Sequence, residues 1–322
     1  MKSLITGGAG FIGSHLAAQL TSMGEKVIIL DDFSGSTADN LGNIANSSLI
    51  EVVEGSILDQ DIVAKVMKSV TRCYHLAASL GVERINNDPI RSLEVNLRGS
   101  EIVLNSASRF KVKTLLASSS EVYGRNPIMP LSEESDRVLG SPKVARWSYS
   151  EAKALDEFYA LELSRTSSFD VTIVRLFNTV GPRQSGAYGM VLPRFIKAAI
   201  NNEPLVVYGD GSQSRSFCAV SDVVVAMEKL MNQESSSGNI YNIGSTNEIS
   251  ILDLALKVID QVGSKSQILF KSHSEIFGEN FEEPLRRVPD ITKISNQINW
   301  MPKLSLNNII DEIVGYFKTY AT

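Results

Sequence analysis

Apolar residues along the chain fall in short runs that alternate with stretches of helical period. SLIT (3–6), KVIILD (26–31), LIEVVEG (49–55), TRCYHLA (71–77) and VKTLLASS (112–119) read as strands, with helices predicted over 11–22, 58–69 and 91–109. A helix over 149–164 and the strand DVTIVRLF (170–177) continue the rhythm. Strands alternating with helices build a parallel sheet through right-handed crossovers, so the pattern predicts a doubly wound α/β fold of Rossmann type.

After Phe177 the rhythm changes. NTVGPRQSGAYGM (178–190) is rich in Gly and Pro, a helix follows near 191–201, and PLVVYGDGSQSRSF (204–217) reads as short antiparallel or irregular structure. A helix over 220–232, a serine loop at 235–237 and the strand NIYNIG (239–244) return to the first unit. The remainder, 247–322, carries two predicted helices and an irregular stretch around EEPLRRVPDI. The expected organisation is thus a larger domain from 1–177 and 218–246, and a smaller C-terminal domain from 178–217 and 247–322.

Composition narrows the classes of function. A length of 322 residues suits two domains, and 43% apolar with 21% charged residues excludes a disordered chain. The formal charge of -5, without a long basic stretch, argues against nucleic acid or an anionic membrane as the main partner. A first strand starting at Lys2 leaves no room for a signal peptide, and no apolar run approaches the ~18 residues of a membrane span, so a cytoplasmic protein is expected. Cys73 and Cys218 read as buried small apolar residues, and His15, His75 and His273 share no ligand spacing, so no metal site is expected.

The candidate chemistry begins at MKSLITGGAGFIGSHLAAQL. Gly7, Gly10 and Gly13 lie between the first strand and the first helix, where missing side chains let backbone NH groups approach a pyrophosphate and the helix N-terminus adds partial positive charge. The second strand ends at Asp31 and Asp32, the place of a carboxylate that takes ribose hydroxyls. No nearby arginine would neutralise a 2'-phosphate, so NAD is preferred over NADP, with Asp31 the better candidate because it ends the strand. In RWSYSEAK (146–153), Tyr149 and Lys153 are four apart and share a helix face. For Tyr149 to act as a base near neutral pH its pKa must fall by roughly three units, about 4 kcal/mol, and the lysine ammonium is a sensible source.

TGGAGFIG (6–13), Asp31, YHLAA (74–78), SSSEVYG (118–124), YSEAK (149–153) and RLFNTVGPR (175–183) occur together and in order. Across essentially the whole chain this set resembles the extended short-chain dehydrogenase/reductase family, in its nucleotide-sugar epimerase, dehydratase and decarboxylase branch. The resemblance implies a tightly held NAD and a nucleoside diphosphate sugar, usually UDP-linked, oxidised transiently at C4. It places Ser119, Tyr149, Lys153 and Glu121 in the catalytic set. It implies cofactor contacts from Gly7, Gly10, Phe11, Ile12, Gly13, Asp31, Asp32, Ser56, Ile57, Leu76, Ala77, Ala78, Asn96, Tyr149 and Lys153. On the substrate side it implies Ser120, Asn178, Arg183, Arg215, Arg287 and Asp290, the arginines Arg215 and Arg287 suiting a diphosphate. One departure is Ser56, where family members commonly carry an Asp near the adenine.

The reaction is read from Ser119, Ser120 and Glu121. A 4,6-dehydratase would carry an Asp at Ser120, so dehydration is disfavoured. A 4-epimerase needs Ser119, Tyr149 and NAD but not Glu121. UDP-glucuronate decarboxylases share a hydroxyl residue, Ser and Glu before VYG, and an Arg at the place of Arg287. RWSYSEAK resembles a decarboxylase subgroup, whereas RLFNTVGPRQ with YGMVLPRF resembles 4-epimerases of UDP-glucose or UDP-glucuronate. The sequence reading places epimerase first and decarboxylase second. A non-catalytic NAD-binding sensor or scaffold stays remote because Tyr149 and Lys153 are both kept. A homodimer is expected through 91–109 and the helix of Tyr149, with Leu93, Val103, Leu155 and Phe158 as candidate apolar contacts.

Overall fold

The apolar runs pair edge to edge. The computed structural model of the chain describes all residues except 80, 82–87, 187–189, 273–274, 276–281, 283 and 321–322, so His273 and part of the 178–190 stretch lie outside the described residues. Its strands are β1 (Lys2–Thr6), β2 (Lys26–Asp31), β3 (Ile50–Glu54), β4 (Arg72–His75), β5 (Lys113–Ser119), β6 (Val171–Leu176), β7 (Thr179–Val180), β8 (Leu205–Tyr208), β9 (Ser214–Ser216), β10 (Cys218–Ala219), β11 (Ile240–Ile243), β12 (Glu248–Ser250) and β13 (Ile268–Lys271). Seven of them form one parallel sheet in the order β3-β2-β1-β4-β5-β6-β11. The register sets Ile5 against Ile29 on one side and Tyr74 on the other, so apolar residues stack across the middle of the sheet.

Helices cover both faces. The first ones are α1 (Phe11–Ser22), α2 (Gln60–Met67) and α3 (Pro89–Leu93), which runs through a π-helical turn (Glu94–Gly99) into α4 (Ser100–Phe110). They are followed by α5 (Arg146–Ser167), α6 (Val191–Ile200), α7 (Val220–Met231), α8 (Ile251–Val262), α9 (Thr292–Ile298) and α10 (Leu306–Tyr320). One core gathers Leu16 and Leu20 of α1 with Val223 and Met227 of α7; the other gathers Val63 of α2, Leu104 of α4 and Ala160 of α5. Burying each of these Leu, Val and Met side chains contributes about 1.5–3 kcal/mol, which fixes the two-faced sandwich. No described helix is long and apolar enough to cross a membrane.

A third core joins Phe195 of α6, Leu254 and Val258 of α8, and Ile309 and Ile313 of α10. Where the sequence suggests antiparallel or irregular structure over 204–217, β8 pairs in parallel with β13 and β9 runs antiparallel to β12. The stretch 247–322 holds three described helices rather than two; the extra one, α9, carries Ile294 and Ile298 into the core of the first sheet, a burial that its seven residues alone do not advertise. The α5 helix starts at Arg146, one turn ahead of the expected Tyr149, and this shift brings Arg146 onto the same helix as Tyr149 and Lys153.

Candidate active site

The strand order turns back at β1, with β2 on one side and β4 on the other, so loops leaving their carboxyl ends diverge and open a crevice. Gly7 follows β1 at φ 70°, and a Cβ there would lie 2.8 Å from the Ala77 backbone N. At Gly13 a Cβ would lie 2.3 Å from the Gly7 carbonyl. Side chains are excluded from both positions, which leaves a cradle walled by main chain. Gly10 is the N-cap of α1, followed by Phe11 and Ile12; it supplies no side-chain cap and the first turn has no acid, so the helix end presents its NH groups to an anion.

Asp31 is buried at the end of β2. Its Oδ2 accepts from Ala9 N at 2.9 Å, and its Oδ1 accepts from Phe33 N at 3.0 Å and Ser36 Oγ at 2.8 Å. The carboxylate therefore braces the glycine turn and keeps acceptor capacity on Oδ2, enough for one further hydroxyl without displacing Ser36. Asp32 is exposed and caps its own turn through Ser34 N. Ser56 does likewise toward Leu58 N, and Ile57 is buried against Gly99. Leu76, Ala77 and Ala78 leave β4 beside the glycine turn, partly buried. Asn96 does not face the crevice in its hydrogen bonding: both ends of its amide hold the Ser79 main chain, at 2.8 and 2.9 Å. This pattern of missing Cβ atoms, uncapped helix end and strand-end carboxylate fits a dinucleotide.

Across the crevice, Ser119 ends β5 and caps the following 3-10 turn, its Oγ accepting from Glu121 N at 3.2 Å. Glu121 is clamped by two arginines: its Oε1 takes Arg287 Nη1 at 2.7 Å and Arg146 Nη2 at 2.9 Å. Burial alone would raise the Glu121 carboxyl, but these guanidiniums hold it well below the usual carboxylate range. Ser150 Oγ donates to the Glu121 carbonyl at 2.6 Å and pins α5 to the same turn. Ser120 is buried 3.4 Å from Arg287 Nη1. Arg287, itself 4% exposed, keeps Nε and Nη2 without partners among the described residues, two buried donors that suit an anion.

Tyr149 bonds Ser119, yet burial, with the charges of Glu121 and Asp156, pushes its phenol up rather than down. The sequence predicts that Lys153 supplies the lowering. In the structure the Lys153 ammonium is buried and faces Asp156 Oδ2 at 3.3 Å, so its charge is already matched by a carboxylate. On the far side, Asn178 Nδ2 donates to Ser216 O at 3.1 Å, and Arg215 Nη1 donates to Ser214 O at 2.7 Å and Leu285 O at 3.3 Å. Arg183 sits at φ 66° with a buried Nη1 that has no partner among the described residues. Asp290 is drawn elsewhere, accepting from Thr292 N at 2.8 Å at the entry of α9.

Two residues escape the sequence reading. Arg146 and Asp156 each lie three residues from a recognised one, on the same helical face as Tyr149 and Lys153 respectively. The signal was the spacing, hidden for Arg146 by a helix assumed to start at Tyr149.

The sequence profile described as GDP-mannose 4,6 dehydratase matches residues 4–313. The chain is 38% identical over 318 residues to UDP-N-acetyl-alpha-D-glucosaminuronate decarboxylase of Bacillus cytotoxicus, covering 98% of each protein. It is 33% identical to UDP-glucuronic acid decarboxylase 1 of Arabidopsis thaliana, over 99% of this chain and 70% of that protein. Among solved structures, the UDP-glucuronic acid 4-epimerase of Bacillus cereus, in complex with UDP-glucuronic acid and NAD, is similar with a TM-score of 0.89 and 27% identity over 99% of both chains. A parallel sheet with a glycine cradle at its turning point, matched from end to end by these relatives, places the chain in the GDP-mannose 4,6-dehydratase-like family, the nucleotide-sugar epimerase, dehydratase and decarboxylase branch of the extended short-chain dehydrogenase/reductases.

Proposed function

We propose that the chain is an NAD-dependent decarboxylase of a UDP-linked hexuronate. The observation that carries this reading is Glu121 held between Arg146 and Arg287 beside Ser119 and Tyr149. A 4-epimerase has no need of that carboxylate. The preference for epimerase drawn from the sequence is reversed because both the acid clamp and the 32–38% identical curated relatives favour the decarboxylase.

NAD, when bound, supplies the hydride acceptor that makes a C4 ketone and the hydride donor that reduces it again. The cradle at Gly7, Gly10 and Gly13 and the Asp31 carboxylate would hold it. Tyr149 would take the O4 proton, with Ser119, its hydrogen-bond partner, orienting it, and Lys153, on the same helix four residues on, would hold the nicotinamide ribose. A ketone at C4 makes the C6 carboxylate a β-keto acid: the C5–C6 bond breaks, carbon dioxide leaves, and the electron pair enters a C4–C5 enolate. A proton returned to C5 closes the balance. Arg287 offers two unpartnered donors to the carboxylate or diphosphate, and Glu121 fixes the direction of both arginines.

Incubation with NAD and either UDP-glucuronate or UDP-N-acetylglucosaminuronate should release one carbon dioxide per UDP-pentose, read by gas measurement and NMR. A C4-inverted hexuronate without carbon dioxide overturns the decarboxylase and restores the epimerase. A homodimer belongs to the same proposal: Leu155 and Phe158 stand 54% and 66% exposed on α5, whereas Val103, a candidate from the sequence, is buried in the core.

A further inference from the structure

Behind Lys153 runs a buried chain of polar groups that the mechanism above leaves unused. Lys153 Nζ and Ser100 Oγ both donate to Asp156 Oδ2, at 3.3 and 2.9 Å. Ser100 Oγ lies 3.1 Å from His75 Nε2, and His75 Nδ1 lies 2.7 Å from Thr6 Oγ1. Thr6 Oγ1 in turn accepts from Ala77 N at 3.3 Å. All five side chains, Thr6, His75, Ser100, Lys153 and Asp156, are at least nineteen-twentieths buried.

The direction of every bond follows from the donor inventory. Burial raises the Asp156 carboxyl, and the Lys153 ammonium with the Ser100 hydroxyl work to keep it charged; in its ionised form it accepts only, so Ser100 spends its one proton there and must accept from His75 Nε2–H. The bare Nδ1 then accepts from Thr6. A neutral ring is what this requires, and burial, with Lys153 nearby, lowers the His75 pKa to about 3. The chain starts at the segment against which Gly7 packs, since Ala77 N is the atom a Gly7 side chain would strike.

We propose that Asp156 is a positioning residue for Lys153, tying the ammonium through Ser100, His75 and Thr6 to the floor of the glycine turn and setting the charge that Lys153 shows to the cofactor and to Tyr149. This rests on the reading that Lys153 faces the nicotinamide ribose. A pair of opposite charges presents little net field to a positively charged ring; a lone ammonium repels it. Tyr149 is faced by Glu121 with its partners Arg146 and Arg287, and by Lys153 and Asp156 from its own helix. Removing the Asp156 charge therefore favours the phenolate.

The test is titration of the purified full chain with NAD and, separately, NADH, following fluorescence. Asp156→Asn should raise the ratio of the NAD to the NADH dissociation constant by about five- to tenfold, the worth of one nearby charge at intermediate dielectric. In the same variant the basic group in the kcat/KM pH profile should move down by about one unit. A residue that only supports packing would weaken both nucleotides alike and leave the profile in place. Ser100→Ala, which leaves Asp156 intact but less firmly ionised, should move the ratio the same way by about two- to threefold and carries the test if Asp156→Asn does not fold. An unchanged ratio in every variant that folds overturns the proposal. Because the nucleotide titrations need no sugar, absence of decarboxylation by the unaltered chain would sink the proposed function and still let the ratio decide this one.

Discussion

The two walls of the crevice are made of different material. The wall proposed to take the cofactor is main chain, shaped by side chains that are absent at Gly7 and Gly13 and braced by one buried carboxylate, Asp31. The facing wall is long charged side chains: Glu121 from the turn after β5, Arg146 from α5 and Arg287 from the segment before α9, locked in one ion cluster. A wall of backbone can bind the same shape in many proteins, since it offers NH groups and no chemistry of its own. A wall of paired charges is specific to what must be oriented and depends on three distant segments agreeing. Binding and reaction choice should thus be separable by mutation.

The largest effect should come from the proposed proton acceptor. Tyr149→Phe removes the proton acceptor and should lower turnover by about a thousandfold or more, while an NAD titration shows affinity within a few-fold of normal. Gly13→Val would break the comparison from the cofactor side: a side chain starting 2.3 Å from the Gly7 carbonyl forces the turn apart, so NAD affinity should fall by about a hundredfold. If affinity survives, the main-chain wall is not the binding surface. Glu121→Gln attacks the other wall. It leaves both arginines without an anionic partner and should cut carbon dioxide release by about a hundredfold with NAD binding intact; equal loss of both would mean that the walls are not separable.

A smaller effect concerns pH. His75 and His15 have folded pKa values lowered to about 3 and about 4, chiefly by burial, against 6.5 for the free ring. The unfolded chain therefore binds more protons than the folded one between those limits, so stability is full above about pH 6.5 and is lost as pH falls toward 4 and then 3. Thermal melts should be level from pH 7.5 to about 6.5 and fall from there to pH 4.5, a fall that His75→Asn, with no ring to protonate, makes shallower. The smallest change is Phe158→Glu, expected to leave turnover per chain within a few-fold while sedimentation shifts from dimer to monomer.

The same contrast explains what the sequence made legible. The strands and glycine turn could be read because each is a local rule: an apolar run pairs in a sheet, and only glycine fits where a Cβ would meet backbone. Asp31 was readable because its place is fixed by the end of β2. The ion cluster was not, because Arg287 lies 166 residues from Glu121 and the sequence says nothing about which cation meets which acid. The partner of Asn96 was hidden for the same reason: its amide holds the main chain of Ser79, 17 residues away in the chain. The lysine–tyrosine pair had the right spacing, but the charge that matters to Lys153 sits one turn further on, at Asp156.

The late arrival of α9 bears on how the molecule is made. Ile294, Ile298 and Trp300 complete the core that also holds α1, and Trp300 Nε1 donates to the Asp222 carbonyl at 3.1 Å while the Asp222 carboxylate receives Lys303 N and Leu304 N at 2.8 and 3.0 Å. The edge strand β11 also joins the sheet only after the segment 178–217 has been threaded out and back. On the ribosome, the first 177 residues thus emerge with one flank of their sheet unpaired and one core uncapped. The nascent chain must wait for its final tenth before that core is sealed, so until then the apolar surface of α1 and α7 that Ile294, Ile298 and Trp300 cover stays exposed, the kind of surface on which incomplete chains aggregate.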